Sequence, residues 1–365
     1  MRLLHVITAL HTGGAERMLA QLSHHWANGP ELHVAYLKPI HTLAAAFHPS
    51  AQLHPLGLGI GTAGALRRLV SRLQPTVVHT HLPHADFLGL GVTQGMPLRR
   101  FITLHNARFR TGRADVAFQF AYRQLLSRWA PDVQAIAISE AVAQHARTAW
   151  AMEPSHVHTV LNPLSVPAPR LPKAEARQRL GLAPDADMLL ALGRLEPQKG
   201  LTYLLQALAV LAGQGLRPRL FLVGEGTLRA ALEAEAQVLG LQGQVTFTGL
   251  TSEPGLYLSA ADALVLPSLF EGLGNVMAEA FAFGLPVLAS DLEGPAEIVE
   301  PGRTGYLFPA ADAAAWADGI ALFLRQADRA ALGLHAQARA AAWPSPAQYA
   351  QQLLELYQSK QALPK

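Results

Sequence analysis

A chain of 365 residues, half of them hydrophobic and 15% charged, is long enough for two domains that each bury a core. It contains no cysteine, which excludes thiol catalysis, disulfides and thiolate metal sites and fits a reducing compartment. The net charge of +3 is uneven: residues 1–165 carry 14 Lys/Arg against 7 Asp/Glu (+7), and residues 166–365 carry 15 against 19 (−4). A basic first half suggests an anionic partner (a phosphorylated lipid, a membrane surface or a nucleic acid), and plain scatter of solvated arginines stands beside it as an equal alternative.

The opening MRLLHVITAL is too short, and too quickly followed by HTGGAER, for a signal peptide. No apolar run reaches the roughly 18 residues of a spanning helix, so a soluble or surface-bound protein is expected. In chain order, LLHVITAL, ELHVAYL, PTVVHTHL, RRFITLH and QAIAIS read as short strands, most of them separated by helix-like stretches such as AERMLAQLSHHW and ALRRLVSRL. In the latter, Leu66, Leu69, Val70 and Leu73 repeat at helical spacing, which turns Arg68 and Arg72 outward. A second series of strands, MLLALG, PRLFLVG, QVTFTG, ALVLPS and PVLAS, alternates with LTYLLQALAVLA, TLRAALEAEAQVLG and NVMAEAFAF. Alternation of this kind predicts an α/β protein of two doubly wound domains, with parallel sheets covered on both faces. The proline-rich VLNPLSVPAPRLPKAEAR reads as the linker, placing the domains at 1–165 and 166–345. Ligands of such sheets bind beyond the carboxyl ends of the strands, so the cleft between domains is the expected site.

Two glycine turns mark those ends. HTGGAER follows the first strand and opens a helix, with Gly13 and Gly14 at the corner; EGLGN follows ALVLPS and opens another, with Gly272 and Gly274. Glycine lets backbone approach a ligand, and the N–H groups of a helix start favour an anion, although a single such turn is more often a tight corner. Neither turn is a GxxxxGK[ST] loop, so nucleotide hydrolysis is not indicated. In GRLEPQKG, Arg194 and Lys199 flank a proline turn just after a strand, where a guanidinium and an ammonium can neutralise a diphosphate or simply be exposed loop cations. No acidic cluster with the character of a divalent-metal site accompanies them, so no metal is expected. In VVHTHLPH, His79 and His81 share one strand face and His84 follows; packing and a metal site are both open readings, packing being the ordinary one.

GGAER, GRLEPQKG and LPSLFEGLGNVMAEA, on two such domains, resemble the retaining glycosyltransferases of the GT-B fold, specifically glycosyltransferase family four. TLHN, AIAISE, VLNP, LVGEGTLR, FTGL and GPAEIVEPGRTGYLF extend the resemblance over nearly the whole chain; Asn162-Pro163 departs from the family's frequent Asn-Gly. It implies two Rossmann-like domains facing across a cleft, the first on the acceptor side and the second binding the nucleotide sugar, with a C-terminal helix over about 346–362 packing back on the first. It further implies that Glu279 accepts hydrogen bonds from the donor ribose and that Glu271 meets hydroxyls of the transferred sugar. Leu250, Gly272 and the backbone of Leu273, Gly274, Asn275 and Val276 line the donor, while Arg194 and Lys199 hold its diphosphate with an amide from the Gly13–Gly14 turn. His105 in TLHN lies near the sugar's reactive end, as a positioning group more than a base. The implied activity is transfer of a sugar from a nucleotide donor, UDP by default, to a glycan or lipid-linked acceptor in bacterial polysaccharide or envelope synthesis, with no cofactor.

A nucleotide-sugar 2-epimerase shares this fold, but it needs acid–base carboxylates over the sugar, and the first domain has no acidic residue in an obvious cleft motif. A nucleic-acid-binding role has no aromatic-rich basic module behind it. The segment NARFRTGRAD, with Arg108, Phe109, Arg110 and Arg113, is basic and lacks apolar periodicity, which suits lipid headgroups or an acceptor diphosphate. The expected location is cytoplasmic, with peripheral attachment to the inner face of the plasma membrane as a further expectation.

Overall fold

The computed structural model describes residues 1–11, 13–107, 113–325 and 329–359. The chain separates into two compact units, Met1–Pro163 with Pro344–Lys365, and Leu164–Trp343. In the first unit, β1 (Arg2–Ile7), α1 (Gly14–His25), β2 (Glu31–Tyr36), β3 (Gln52–Pro55), α2 (Thr62–Leu73) and β4 (Val77–His81) come first. They are followed by α3 (Pro83–Val92), β5 (Arg99–Leu104), α4 (Arg113–Gln124), β6 (Gln134–Ala137), α5 (Glu140–Thr148) and β7 (Val157–Thr159). Among the described residues these strands form one parallel sheet of seven in the order β3-β2-β1-β4-β5-β6-β7.

The second unit contains α6 (Lys173–Arg179), β8 (Met188–Leu192), α7 (Leu201–Gly213), β9 (Arg219–Val223), α8 (Arg229–Val238), β10 (Val245–Gly249), α9 (Pro254–Ala260) and β11 (Ala263–Leu266). Beyond these lie α10 (Asn275–Ala282), β12 (Val287–Ser290), α11 (Glu293–Ile298), β13 (Gly305–Phe308), α12 (Ala313–Arg325) and α13 (Arg329–Ala341). Its sheet, also parallel, runs β10-β9-β8-β11-β12-β13. The chain then returns to the first unit as α14 (Pro346–Gln358), started by a Ser345–Gln348 capping box.

Each strand recognised in the sequence is present, and β3, β7 and β13 are additional. β7 has only three residues and β3 is half-exposed, whereas β13 is no shorter than β6, β11 or β12. Most of the others are continuous buried runs because both faces are covered. One face of the first sheet sets Leu3, Ile7, Val34 and Phe101 against α1 and α14, while the other sets Leu4, Val6, Ala35 and Val78 against α2. Leu66, Leu69 and Val70 of α2 point inward as their spacing predicts, with Arg67, Arg68 and Arg72 exposed. α4 is anchored by Tyr122, whose hydroxyl donates to buried Asp86 at 2.5 Å, while Thr80 donates to the same carboxylate at 2.6 Å.

The α1/α14 face also holds a layer of histidines. His5 on β1 pairs in register with His79 on β4, and His81 lies two residues further along the same face. His5 Nδ1 and His81 Nε2 are 2.9 Å apart with rings inclined by only 14° and centroids 5.2 Å apart, an edge-to-edge N–H···N bond. His79 uses Nδ1 on the Tyr357 hydroxyl of α14 (2.5 Å) and Nε2 on the Thr103 hydroxyl (2.8 Å). The ring nitrogens lie within 4.8 Å of one another. A tetrahedral zinc would hold nitrogen ligands about 3.3 Å apart with both lone pairs turned to the ion. The closer, shared-proton contact of His5 and His81 therefore favours packing over metal binding.

Burial pulls the His5 imidazole down to about 3 and holds His79 and His81 well below the usual histidine range. These rings are neutral when folded and take up protons on unfolding below pH ~6.5, so their stabilisation is complete above that pH and is lost as pH falls. Three such groups withdraw on the order of 5 kcal/mol between pH 6.5 and 5. Thermal unfolding across that range is expected to show the midpoint falling by more than about 10 °C; a flat profile would mean that the imidazoles are already protonated in the native state.

Candidate functional site

In the second sheet the winding direction reverses between β8 and β11, and the GRLEPQKG and LPSLFEGLGN segments leave the carboxyl ends of those two strands. Two adjacent parallel strands whose connections depart to opposite sides leave a crevice at that point. A shallow pocket there is lined by Gly193, Arg194 and Lys199 from one segment and Val265, Leu266 and Pro267 from the other. Arg194, Lys199 and Glu271 are therefore brought together by topology, across a sequence separation of more than seventy residues.

The contacts between the segments are specific. Lys199 Nζ lies 2.5 Å from Glu271 Oε2, with the two side chains 17% and 9% exposed, and the Ser268 hydroxyl donates to the same oxygen at 3.1 Å. The Leu269 amide donates to the Gln198 carbonyl (2.8 Å), and the Gln198 side-chain amide donates to the Phe270 carbonyl (3.0 Å). Gly200 follows in the left-handed region at φ +60°, where a Cβ would stand 2.1 Å from the Pro267 carbonyl oxygen; only glycine permits this approach. On the opposite flank Glu196 accepts from the Thr227 amide (3.1 Å) and hydroxyl (2.7 Å). Arg194 stays exposed, its Nη2 reaching 3.5 Å from the Gln198 amide oxygen. The two cations thus differ: Lys199 is matched by a nearly buried carboxylate, and Arg194 projects into solvent.

Gly274 caps α10, Asn275 is its first residue, and half-buried Glu279 lies one turn inside. Gly272 and Leu273 are buried in the turn, and Val276 is partly so. Leu250, just past β10, is 72% exposed, an apolar side chain available at the carboxyl end of the sheet.

In the first unit, the corresponding reversal falls between β1 and β4, and the Gly13–Gly14 turn leaves β1 there to open α1. Glu16, only 2% exposed, is the third residue of α1, and its carboxylate lies 3.2 Å from His11 Nε2. A Cβ on Gly13 would meet both side chains, at 2.3 Å from Glu16 and 2.8 Å from His11. Neither residue was singled out from the sequence, although a glutamate at the third helical position is the signal of a capping carboxylate. Gln198 and Ser268 were also missed; they lie inside the recognised segments but carry no charge. His105 directly follows β5, half-buried, with Nε2 shielded from solvent and without a hydrogen-bond partner. Burial lowers its imidazole to about 4, so the ring is neutral near pH 7 and offers one donor and one acceptor, not a positive charge. Arg108, Phe109 and Arg110 lie outside the described residues, as does the side chain of Arg113.

Comparison with known proteins matches this arrangement. The family described as Glycosyltransferase Family 4 matches residues 12–166, and Glycosyl transferases group 1 matches residues 172–339. A D-inositol 3-phosphate glycosyltransferase of Nocardia farcinica is 38% identical over 198 residues, covering 51% of this chain and 43% of the relative. A lipopolysaccharide core biosynthesis glycosyltransferase of Rhizobium meliloti is 35% identical over 144 residues, 40% of this chain and 41% of the relative. The matched stretches span about half or less of the curated relatives' length. Among solved structures, Anabaena HepE in complex with UDP and glucose aligns with TM-score 0.84 at 21% identity, over 98% of this chain and 100% of the other. Sucrose-phosphate synthase from Thermosynechococcus elongatus aligns at 0.83 and 24%, over 98% of each chain. With both halves matched and the two sheets in place, the chain belongs to the group 1 glycosyl transferases of glycosyltransferase family four and has the GT-B fold.

Proposed function

We propose that the chain transfers a sugar, with retention of configuration, from a UDP-sugar to a glycan or lipid-linked acceptor in polysaccharide or envelope synthesis. The observation that carries this is the convergence of Arg194, Lys199 and Glu271 at the reversal between β8 and β11. Two cations fit a diphosphate, and a carboxylate beside them fits sugar hydroxyls. The UDP and glucose bound by HepE and the lipopolysaccharide core biosynthesis role of the Rhizobium relative point the same way.

In this reading the bond between the sugar's anomeric carbon and the β-phosphate oxygen breaks, and UDP leaves with the electron pair. The acceptor oxygen bonds to the same face of that carbon and passes its proton to the departing phosphate. Arg194 and Lys199 stabilise the charge that develops on the phosphate, the task a divalent metal performs elsewhere. Glu279 holds the ribose and Glu271 the sugar, with Leu250 and the Gly272–Val276 backbone along the donor. In the first unit, Gly13 and Gly14 open α1 toward an anion, and neutral His105 positions the reacting sugar without supplying charge.

A thermal-shift panel of UDP-, GDP- and ADP-glucose in excess EDTA tests the donor and the metal together. Selective stabilisation by the UDP-sugar is expected, since a ligand of the native state raises its stability. Stabilisation that appears only after magnesium or manganese is restored would remove Arg194 and Lys199 from the metal's role.

The carboxylates are separable by calorimetry with free UDP. Glu279→Ala is expected to weaken binding about tenfold or more, the scale of a lost hydrogen bond to a charged group. Glu271→Ala should leave UDP affinity within about threefold while reducing transfer, because Lys199 remains for the phosphates. Equal losses would refute this division.

We also propose that the first unit meets an anionic membrane, peripherally and from the cytoplasmic side. No helix among the described residues is long and apolar enough to cross a membrane. On α4, Val116 and Phe120 are 71% and 66% exposed one turn apart, following the basic segment of Arg108, Phe109, Arg110 and Arg113. Apolar side chains beside arginines suit a lipid interface, each cation contributing about 1 kcal/mol at an anionic surface. Sedimentation with vesicles should show binding that rises with anionic lipid and falls with salt, and Arg108, Arg110 and Arg113 changed together to Ser should weaken it without altering UDP affinity. A wild-type protein that ignores anionic vesicles at low salt would point to a soluble acceptor.

A further inference from the structure

We propose that Gln198 is a positioning residue that fixes the distance between the phosphate-binding cations and Glu271, so that the two ends of a nucleotide sugar are recognised as one ligand. This rests on the donor reading above and assigns a task to an uncharged side chain that touches neither end.

The segment 198–200 is joined to 267–271 by three non-ionic ties, and they are of different kinds. The Leu269 amide to the Gln198 carbonyl is a main-chain bond, and the seat of Gly200 on the Pro267 carbonyl is a main-chain contact. Both survive any change to the Gln198 side chain. The third, from Gln198 Nε2 to the Phe270 carbonyl at 3.0 Å, is made by that side chain alone. Its acceptor is the peptide unit that leads directly into Glu271. Fixing that carbonyl sets the start of Glu271, whose carboxylate then meets Lys199 Nζ at 2.5 Å.

The other end of the same amide faces Arg194. Gln198 Oε1 is 3.5 Å from Arg194 Nη2, at the outer limit of a hydrogen bond, which aims the guanidinium without fixing it. Gln198 therefore points its donor at the carboxylate's segment and its acceptor at the cation. A primary amide carries both functions on one side chain, the donor and the acceptor on separate atoms. Glutamate would present two acceptors, pairing with Arg194 and repelling the Phe270 carbonyl. Leucine would offer neither.

Free UDP uses the cations, whereas UDP-glucose uses the cations and Glu271 at a set spacing. Removal of the Gln198 amide lets the two move independently, so the nucleotide sugar loses more than the nucleotide. That asymmetry separates positioning from a general structural role, which would weaken both ligands together.

The test is calorimetry of UDP and UDP-glucose on wild type, Gln198→Leu and Gln198→Glu, with melting temperature measured alongside. The main-chain ties should keep the melting temperature of Gln198→Leu within about 2 °C of wild type. UDP-glucose affinity is expected to fall about tenfold and UDP affinity less than about threefold, the loss of one well-placed hydrogen bond. Gln198→Glu, by occupying Arg194, should also lower UDP affinity, by more than Gln198→Leu does. Unchanged affinities in Gln198→Leu, or an equal fall for both ligands with a lowered melting temperature, would overturn the proposal. A wild-type protein that binds neither ligand would overturn the donor reading itself, and this inference with it.

Discussion

Parallel pairing of every strand in both sheets is the constraint from which the site follows. A parallel strand cannot be reached by a hairpin, so the connections cross over the sheet, nearly all of them as helices, and both faces become covered. The sheet faces then offer no surface for chemistry, and the loops at the carboxyl ends are left to do it. Where the crossovers change sides, at β1/β4 and at β8/β11, neighbouring loops part instead of packing together. The two glycine turns and the Arg194–Lys199 segment all leave strands that border those points. In the second unit this places Lys199 against Glu271 although the chain between them winds through three helices and three strands.

The Lys199–Glu271 pair is better understood as orientation than as stabilisation. Removing two charges from water costs several kcal/mol each, and mutual attraction only about restores this when both remain partly solvated. With 17% and 9% exposure, the pair sits between a surface bridge and a core one. Its value lies in fixing two flexible side chains: the ammonium is held at one spot, and the carboxylate has a second partner in Ser268. Arg194 stands exposed, with only a long contact to Gln198. One held and one exposed cation is the pairing on which the diphosphate proposal rests.

What the sequence made legible depended on how local the cause was. The long buried strands and the α2 face are written in nearest-neighbour periodicity, and the glycine turns in composition, so these could be read directly. β7 is too short for a pattern to form and β3 is half-exposed, while β13 is no shorter than the recognised β6, β11 and β12. The meeting of Lys199 with Glu271, the N–H···N bond of His5 with His81, and the grip of Tyr357 on His79 each join residues more than seventy positions apart. Nothing local announces such contacts. Gln198 was invisible for a different reason: its function is a pair of hydrogen bonds to a backbone carbonyl and a neighbour, and amides attract notice only once their partners are placed. Glu271 and Glu279 could be singled out because carboxylates in an apolar stretch need a partner, while the identity of that partner awaited the fold.

Charge balance by halves proves a poor guide to the charge of the sites. The first half is the basic one, yet its histidine layer and His105 are neutral, since burial disfavours the imidazolium at each of them. Several of its arginines are spent in ion pairs, Arg2 with Glu31, Arg100 with Asp132 and Arg147 with Glu140. Others stand outward on α2, a helix whose inner face carries Leu66, Leu69 and Val70. The second half, acidic overall, is the one that concentrates two cations at a crevice. A field acting at long range sums every charge, but a bound phosphate feels those within a few ångströms, because screening removes the rest over about 10 Å. The excess of positive charge in the first half therefore bears on surfaces it can lie against, and not on the crevice of the other unit, where the nearby cations are Arg194 and Lys199.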